Sequence, residues 1–269
     1  MTTIVCWKSV DGGGRATLNL CADSRFRDEL GNTWDRGRKL FFSNVHADVF
    51  GFVGEALPPQ TALGQLVEAI DSSSLGPRSA DPNQRLTNYK SHLDATIGTY
   101  PKASSVEILF ATRDDRSIAK PHCMWSIFFN PGAISGTISV VPIGVSRSGR
   151  ISVFGSGAGN FRTVFRTVRS KPQGDKSRAV YWTFMDHLAA ASDPYTGGPP
   201  QLVRLGNNGP AIPVGVSYSG KRFFLGCELN KSQLTETRIK DWHDELYQFI
   251  DPVTGERRSN AQKIARPMK

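Results

Sequence analysis

A threonine at a free N-terminus carries a hydroxyl and an α-amine on one residue, and Met1-Thr2-Thr3-Ile4-Val5 sets Thr2 directly behind the initiator Met. With Met1 clipped, Thr2 becomes that residue. The α-amine, with an ordinary pKa of about 7.7–8.0, is the one main-chain group that titrates near neutrality. A Thr hydroxyl is a weak nucleophile until a base stands beside it, and an N-terminal Thr brings its own. The same five residues also suit the start of an ordinary strand. Further groups could join Thr2: Asp23, Lys39, the glycines at Gly51 and Gly54, Gly155-Ser156-Gly157, and Asp193-Pro194-Tyr195-Thr196-Gly197-Gly198. Each has a plainer reading. Asp23 and Lys39 suit a structural ion pair. Gly155-x-Gly157-x-Gly159 could cradle a phosphate but lacks the Lys-Ser/Thr of a P-loop, so tight helix packing serves as well. Ser156, Asp193 and Thr196 also suit caps and turns. The histidines, His46, His92, His122, His187 and His243, lack metal-ligand spacing, and mid-helix His187 reads as a packed residue.

The elements that must position these groups follow from periodicity. Thr3 to Trp7 and Ala16 to Ala22 alternate around an Asp11-Gly12-Gly13-Gly14 turn. They predict a hairpin that returns Asp23 to the N-terminus. Lys39 to Phe42 and Val49 to Gly54 predict two more strands. Leu57-Pro58-Pro59 breaks the pattern. Leu63, Leu66, Val67 and Ile70 then mark one helix, and Leu86, Tyr89, Leu93 and Ile97 another, with a polar loop from Ser72 to Asn83. Strands follow at Val106 to Phe110, Met124 to Phe129, Thr137 to Ile143 and Ile151 to Phe154. Phe161, Val164, Phe165 and Val168 mark a third helix, and Arg178 to Ala191 a fourth. Late strands fall at Gln201 to Leu205 and Ala211 to Leu225. Ile239, Trp242, Leu246, Phe249 and Ile250 predict a last helix. Helix pairs between groups of strands point to antiparallel sheets packed together with helices outside, not to βαβ alternation.

Composition narrows the class. At 269 residues, 39% hydrophobic and 21% charged, the chain suits one large globular domain or two small ones. No apolar run is long enough to span a bilayer, and the N-terminus has no signal-peptide h-region. Cys6, Cys21, Cys123 and Cys227 read as reduced, buried thiols, so a cytoplasmic setting is expected. The net charge is +9, but the cations are dispersed. Only Arg257, Arg258, Lys263, Arg266 and Lys269 concentrate them, which reads as a solvated basic tail in preference to a nucleic-acid footprint.

Taken together, these pieces resemble one family, the proteasome-type N-terminal-nucleophile peptidases, which include the 20S β subunits and the bacterial protease subunit HslV. The start Met1-Thr2-Thr3-Ile4-Val5 is similar to that of HslV. Leu20-Cys21-Ala22-Asp23-Ser24-Arg25 resembles the family's apolar-Ala-Asp strand end, and the spacing from Asp23 to Lys39 matches its acid-to-lysine spacing. Phe50-Gly51-Phe52-Val53-Gly54 resembles its next strand, and Phe154-Gly155-Ser156-Gly157 its serine motif. Ala191-Ser192-Asp193-Pro194-Tyr195-Thr196-Gly197-Gly198 is similar to the Asp-x-Tyr-Ser-Gly-Gly segment, with Thr196 in place of Ser. The resemblance runs from Thr2 to about Leu225. The first hairpin and the Ser72 to Arg150 stretch are longer than the family's, and the tail after Glu228 matches nothing in it.

The resemblance implies an α+β fold: a four-layer αββα sandwich of two antiparallel sheets between helix layers. It would occupy residues 1–228, with 229–269 a C-terminal helix and basic tail. It implies a threonine-type endopeptidase that needs no metal and no cofactor, acts on polypeptide substrates, assembles as a homo-oligomeric ring and is served by an ATP-dependent unfoldase. Thr2 would be the nucleophile, and Lys39 a positive charge beside it, fixed by Asp23. The Gly54 N–H would stabilise the oxyanion, and Ser156, Asp193 and Thr196 would orient the amine. Phe26, Gly37, Phe41 and Phe52 would line the specificity pocket, or serve as core. Two alternatives stand beside this reading: a non-catalytic ring subunit of the same fold, and an amidohydrolase of that fold acting on a small amide.

Overall fold

Alternation along the first strand assigns its two faces to different cores. In the computed structural model, which describes residues 2–10, 15–101, 104–117, 121–142, 151–259 and 261, Ile4 and Cys6 enter one buried cluster and Val5 and Trp7 another. A strand buried on both faces holds its register firmly, because a one-residue slip would exchange the two sets. Each such Ile, Val or Trp contributes roughly 1.5–3 kcal/mol by leaving water.

The elements run in chain order as β1 (Ile4–Val10), β2 (Ala16–Ala22), β3 (Phe26–Arg27), β4 (Thr33–Trp34), β5 (Leu40–Phe42) and β6 (Asp48–Gly54). Helices α1 (Leu57–Asp71) and α2 (Pro82–Ile97) follow, then β7 (Val106–Arg113), β8 (His122–Phe129), β9 (Thr137–Val140) and β10 (Ile151–Phe154). Next come α3 (Ala158–Arg169), α4 (Ser177–Ala190), β11 (Gln201–Leu205), β12 (Ile212–Tyr218), β13 (Lys221–Phe224) and β14 (Cys227–Glu228). The short α5 (Lys231–Glu236) and β15 (Asp241–His243) close the series.

The larger sheet has the order β10-β1-β2-β11-β12-β13-β14, with β15 joined to β12, and a second sheet has the order β5-β6-β7-β8-β9. The pair β3–β4 stands apart. One cluster takes Ile4, Leu18 and Leu20 from the larger sheet and Leu40, Val49 and Leu109 from the second. Another seats Leu63, Leu66, Leu93 and Ile97 of α1 and α2 on Phe50, Phe110 and Ile127. The third seats Phe161 and Phe165 of α3 and Phe184 of α4 on Val5, Trp7 and Leu202. The molecule is a mixed α/β architecture of antiparallel sheets flanked by helices, in which β12 pairs parallel with β15.

Several expectations need correction. The strand pattern does end before Leu57-Pro58-Pro59, but these residues already form the first turn of α1, where a missing proline N–H costs nothing. Asp81 caps α2 through the Asn83 N–H, so the polar loop ends earlier than predicted. The strand from Thr137 ends at Val140, and Ile143 lies outside the described residues, as do the Asp11-Gly12-Gly13-Gly14 turn and Met1. Val164 of α3 is exposed, and so is Cys227; all four cysteines are free.

The largest correction is at the C-terminus. The spacing of Ile239, Trp242, Leu246, Phe249 and Ile250 predicts a helix, but Asp241–His243 is a strand parallel to β12. Trp242 is fully buried against Gly215, where a Cβ would lie 2.3 Å from its ring. A flat indole against a bare backbone is a better fit than a helix stripe over a sheet that already carries α3 and α4. Arg257 and Arg258 donate to the Ala261, Ile250 and Lys240 carbonyls and so belong to this folded segment, whereas Lys263, Arg266 and Lys269 lie outside the described residues.

Candidate functional site

Asp23 is placed by ladder register. Ala22 pairs with Ile4 across β1 and β2, so the next residue stands beside Thr3. The Thr3 N–H donates to Asp23 Oδ1 at 3.0 Å, and the Asp23 N–H donates to the Thr3 carbonyl at 3.3 Å. Lys39, directly before β5, donates Nζ to both carboxylate oxygens at 2.9 Å. The Arg25 and Gly197 N–H groups complete Oδ2, each at 3.1 Å. Both side chains of the pair are buried. Such a pair persists only where further hydrogen bonds satisfy it, and here three backbone donors do so. Burial pushes the Lys39 ammonium below its ordinary range; the Asp23 carboxylate pulls the other way without cancelling it. The Phe26 ring centroid lies 5.5 Å from Nζ.

Gln201, the first residue of β11, ties the lysine in place. Its Oε1 accepts the Lys39 and Leu40 N–H groups at 3.0 and 3.2 Å, and its Nε2 donates to the Gly37 carbonyl at 2.6 Å. Nothing in the sequence marks Gln201 as special, beyond a polar residue opening an apolar strand.

The second part of the site lies between α3 and β11. Ser156 Oγ donates to Asp193 Oδ2 at 2.7 Å and Thr196 Oγ1 to the same oxygen at 2.8 Å, while the Tyr195 N–H donates to Oδ1 at 3.1 Å. Burial raises the Asp193 carboxyl, but these three donors together hold it below the usual carboxylate range. Thr196 Oγ1 lies 2.7 Å from Thr3 Oγ1, which lies 3.3 Å from His187 Nε2. His187 packs edge-on against Phe161, as a core residue would, yet its ring nitrogen faces the N-terminal strand.

The glycines are places of close approach. Gly155 has φ +91°, and a Cβ there would lie 1.8 Å from the Thr2 carbonyl oxygen. A Cβ at Gly157 would meet Thr3 Oγ1 at 2.1 Å and His187 Nε2 at 2.7 Å. Gly54 closes β6 opposite Val106 at φ +104°, and Val53 just before it reaches toward Gly155. The far end of β6 is anchored by fully buried Asp48, which accepts from Tyr89 at 2.9 Å, from Arg78 at 3.1 Å and from Thr112.

Thr2 itself is 2% exposed, and its Oγ1 is buried with no hydrogen-bond partner among the described residues. The four pocket candidates also gather. The Phe26 and Phe52 rings are 6.2 Å apart and those of Phe41 and Phe52 6.5 Å apart, and Gly37 lies directly against the Phe26 ring. Phe41 and Phe52 belong to the core beneath α1 and α2, whereas Phe26 keeps partial exposure. A groove of about 670 Å³ between β8–β9 and β10 ends at Phe154, next to Gly155. Among the described residues no three His, Cys, Asp or Glu side chains gather as a metal site would require, and no helix is long and apolar enough to cross a membrane. No family model matches the chain, and no curated protein matches it.

Proposed function

We propose that the chain is a threonine-type endopeptidase of the proteasome type, an αββα sandwich of the N-terminal-nucleophile class with Thr2 as nucleophile once its amine is free. One observation carries this reading. Asp23, Lys39, Thr3, Ser156, Asp193 and Thr196 all have hydrogen-bond partners, whereas the hydroxyl of Thr2, the residue next to Thr3, is buried with none among the described residues. Buried hydroxyls are ordinarily paired, so an unpaired one beside this network supports the assignment of Thr2 as the reacting group.

In this reading Thr2 Oγ attacks the peptide carbonyl while the Thr2 amine takes its proton. The C–N bond breaks, the amine product leaves with that proton, and water hydrolyses the ester left on Thr2. Lys39 holds positive charge beside the reacting atoms, and the Gly54 N–H receives the oxyanion. Substrates are polypeptides, and copies assemble as a ring served by an ATP-dependent unfoldase. The exposed Ile134, Ile138 and Val140 at and before edge strand β9 support assembly, being the kind of apolar surface a partner covers.

Fluorogenic peptides that differ only in the residue before the scissile bond test both nucleophile and pocket. We expect cleavage after small or medium apolar residues, since Phe26, Phe41 and Phe52 take up the space. Thr2→Ala, and any form that keeps a residue ahead of Thr2, should be inactive. A Thr2→Ala protein that cleaves at the wild-type rate would refute the assignment. A preference for Lys or Arg would remove the pocket.

A further inference from the structure

Behind the N-terminal strand, one imidazole and two threonine hydroxyls stand in series and end on a carboxylate. A hydroxyl has a single proton to donate. Thr196 Oγ1 gives its proton to Asp193 Oδ2, so the 2.7 Å contact between Thr196 and Thr3 is a bond only if Thr3 is the donor. The Thr3 proton is then used. The 3.3 Å contact from Thr3 Oγ1 to His187 Nε2 closes only if that ring nitrogen carries a proton.

We infer that His187 is a positioning residue of the active site: its Nε2–H begins a one-way donor chain, His187 to Thr3 to Thr196 to Asp193, that fixes Thr3 and with it the seat of Thr2. This rests on the reading of Thr2 as nucleophile. Thr3 is held by its N–H and carbonyl on Asp23 and by its hydroxyl in this chain, so the peptide joining it to Thr2 has little freedom to rotate. Productive attack requires such placement, because small misplacements of a reacting group cost large factors in rate. Asp193 ends the chain well because the donors around it keep it ionised and able only to accept. The charged groups that bear on the imidazole are Asp193 and Asp23. Burial outweighs both and holds the ring below its ordinary pKa, so near neutrality it is uncharged and the choice of tautomer decides whether the chain exists. The alternative tautomer would set a lone pair against a lone pair.

Long-range proton–nitrogen NMR of the full-length protein reads the tautomer directly. A proton on Nε2 of His187 is expected, and one on Nδ1 alone overturns the chain. Two near-isosteric variants read its consequence. His187→Phe keeps a ring against Phe161 and removes the donor; Thr3→Val keeps the shape and removes the hydroxyl. Each should lower kcat about fivefold to tenfold with KM unchanged, the loss of one buried hydrogen bond felt in the transition state. The double variant should be no slower than the worse single one, and His187→Gln should recover part of the rate. A His187→Phe protein with wild-type kcat and wild-type Tm shows that the ring only packs, and overturns the role. Should that variant not fold, Thr3→Val and the tautomer decide. The two failures are separable: a wild-type protein without peptidase activity defeats the reading of Thr2, while the tautomer still decides the donor chain.

Discussion

Removing either member of a buried ion pair strands the other, but Asp23 and Lys39 would be stranded differently. Without Lys39, the Asp23 carboxylate still accepts from the Thr3, Arg25 and Gly197 N–H groups. Without Asp23, the ammonium loses both carboxylate oxygens it donates to, and three N–H groups lose their acceptor. We expect Lys39→Ala to fold and to lose turnover through kcat, and Asp23→Ala to lose in addition stability on the order of 3–5 kcal/mol. Urea titration of the two variants checks this; equal midpoints would show that the three N–H groups do not carry the carboxylate. At this scale the acid, the lysine and the serine motif were legible, because each is a chemically distinctive residue at a strand end and their spacing resembles a family's. Thr3, Gln201 and His187 were not. Their side-chain contacts reach across 162 to 193 residues of chain, and nothing local distinguishes a positioning histidine from a packed one.

Among the elements, β15 shows how far an expected tail is part of the fold. Trp242 is fully buried beside Gly215, and Leu234 and Ile250 share its cluster. Trp242→Ala should cost about 3–5 kcal/mol, the usual loss for a large buried aromatic. Gly215→Ala should cost about 1–3 kcal/mol by forcing the indole away. An unchanged urea midpoint in both would mean that residues 229–261 contribute nothing to the sheet. Helices α1 and α2 were legible from apolar spacing alone, since each covers a sheet face with one stripe, whereas α4 is buried nearly all round. The last segment has an equally helical spacing, yet its partner is a strand with a glycine opposite the indole. Periodicity reports which residues are buried, and here it said nothing of the surface that buries them.

For the whole molecule, acid should be the weak condition. All five histidines lie below their ordinary pKa, chiefly through burial, with His122 lowered to about 4 and His243 to about 3. Between these values and about 6.5 the unfolded chain binds protons that the folded chain refuses, so stability rises with pH across that window and falls on acidification. The contribution is fully present above about 6.5. For His122 alone the stability lost amounts to roughly 3 kcal/mol once the pH is below its folded value. Urea midpoints at pH 7 and pH 4.5 measure this, and we expect a clear drop at the lower pH. His122→Gln and His243→Gln should each shrink the drop, and midpoints that do not move would refute it.

The burial of Thr2 has a consequence in time. Its strand pairs with β2 at once, but β10 begins only at Ile151 and the loop that carries Thr196 comes later still. At a synthesis rate of about 5–20 residues per second, the segment ahead of Thr2 stays accessible to a processing enzyme for roughly 10–40 s before those partners emerge. On the reading of Thr2 as nucleophile, removal of whatever precedes it is then expected on the ribosome and not in the finished protein. A purified folded chain that still carries a residue ahead of Thr2 should resist an aminopeptidase until urea opens it, whereas trimming at full rate in the folded state would overturn that expectation.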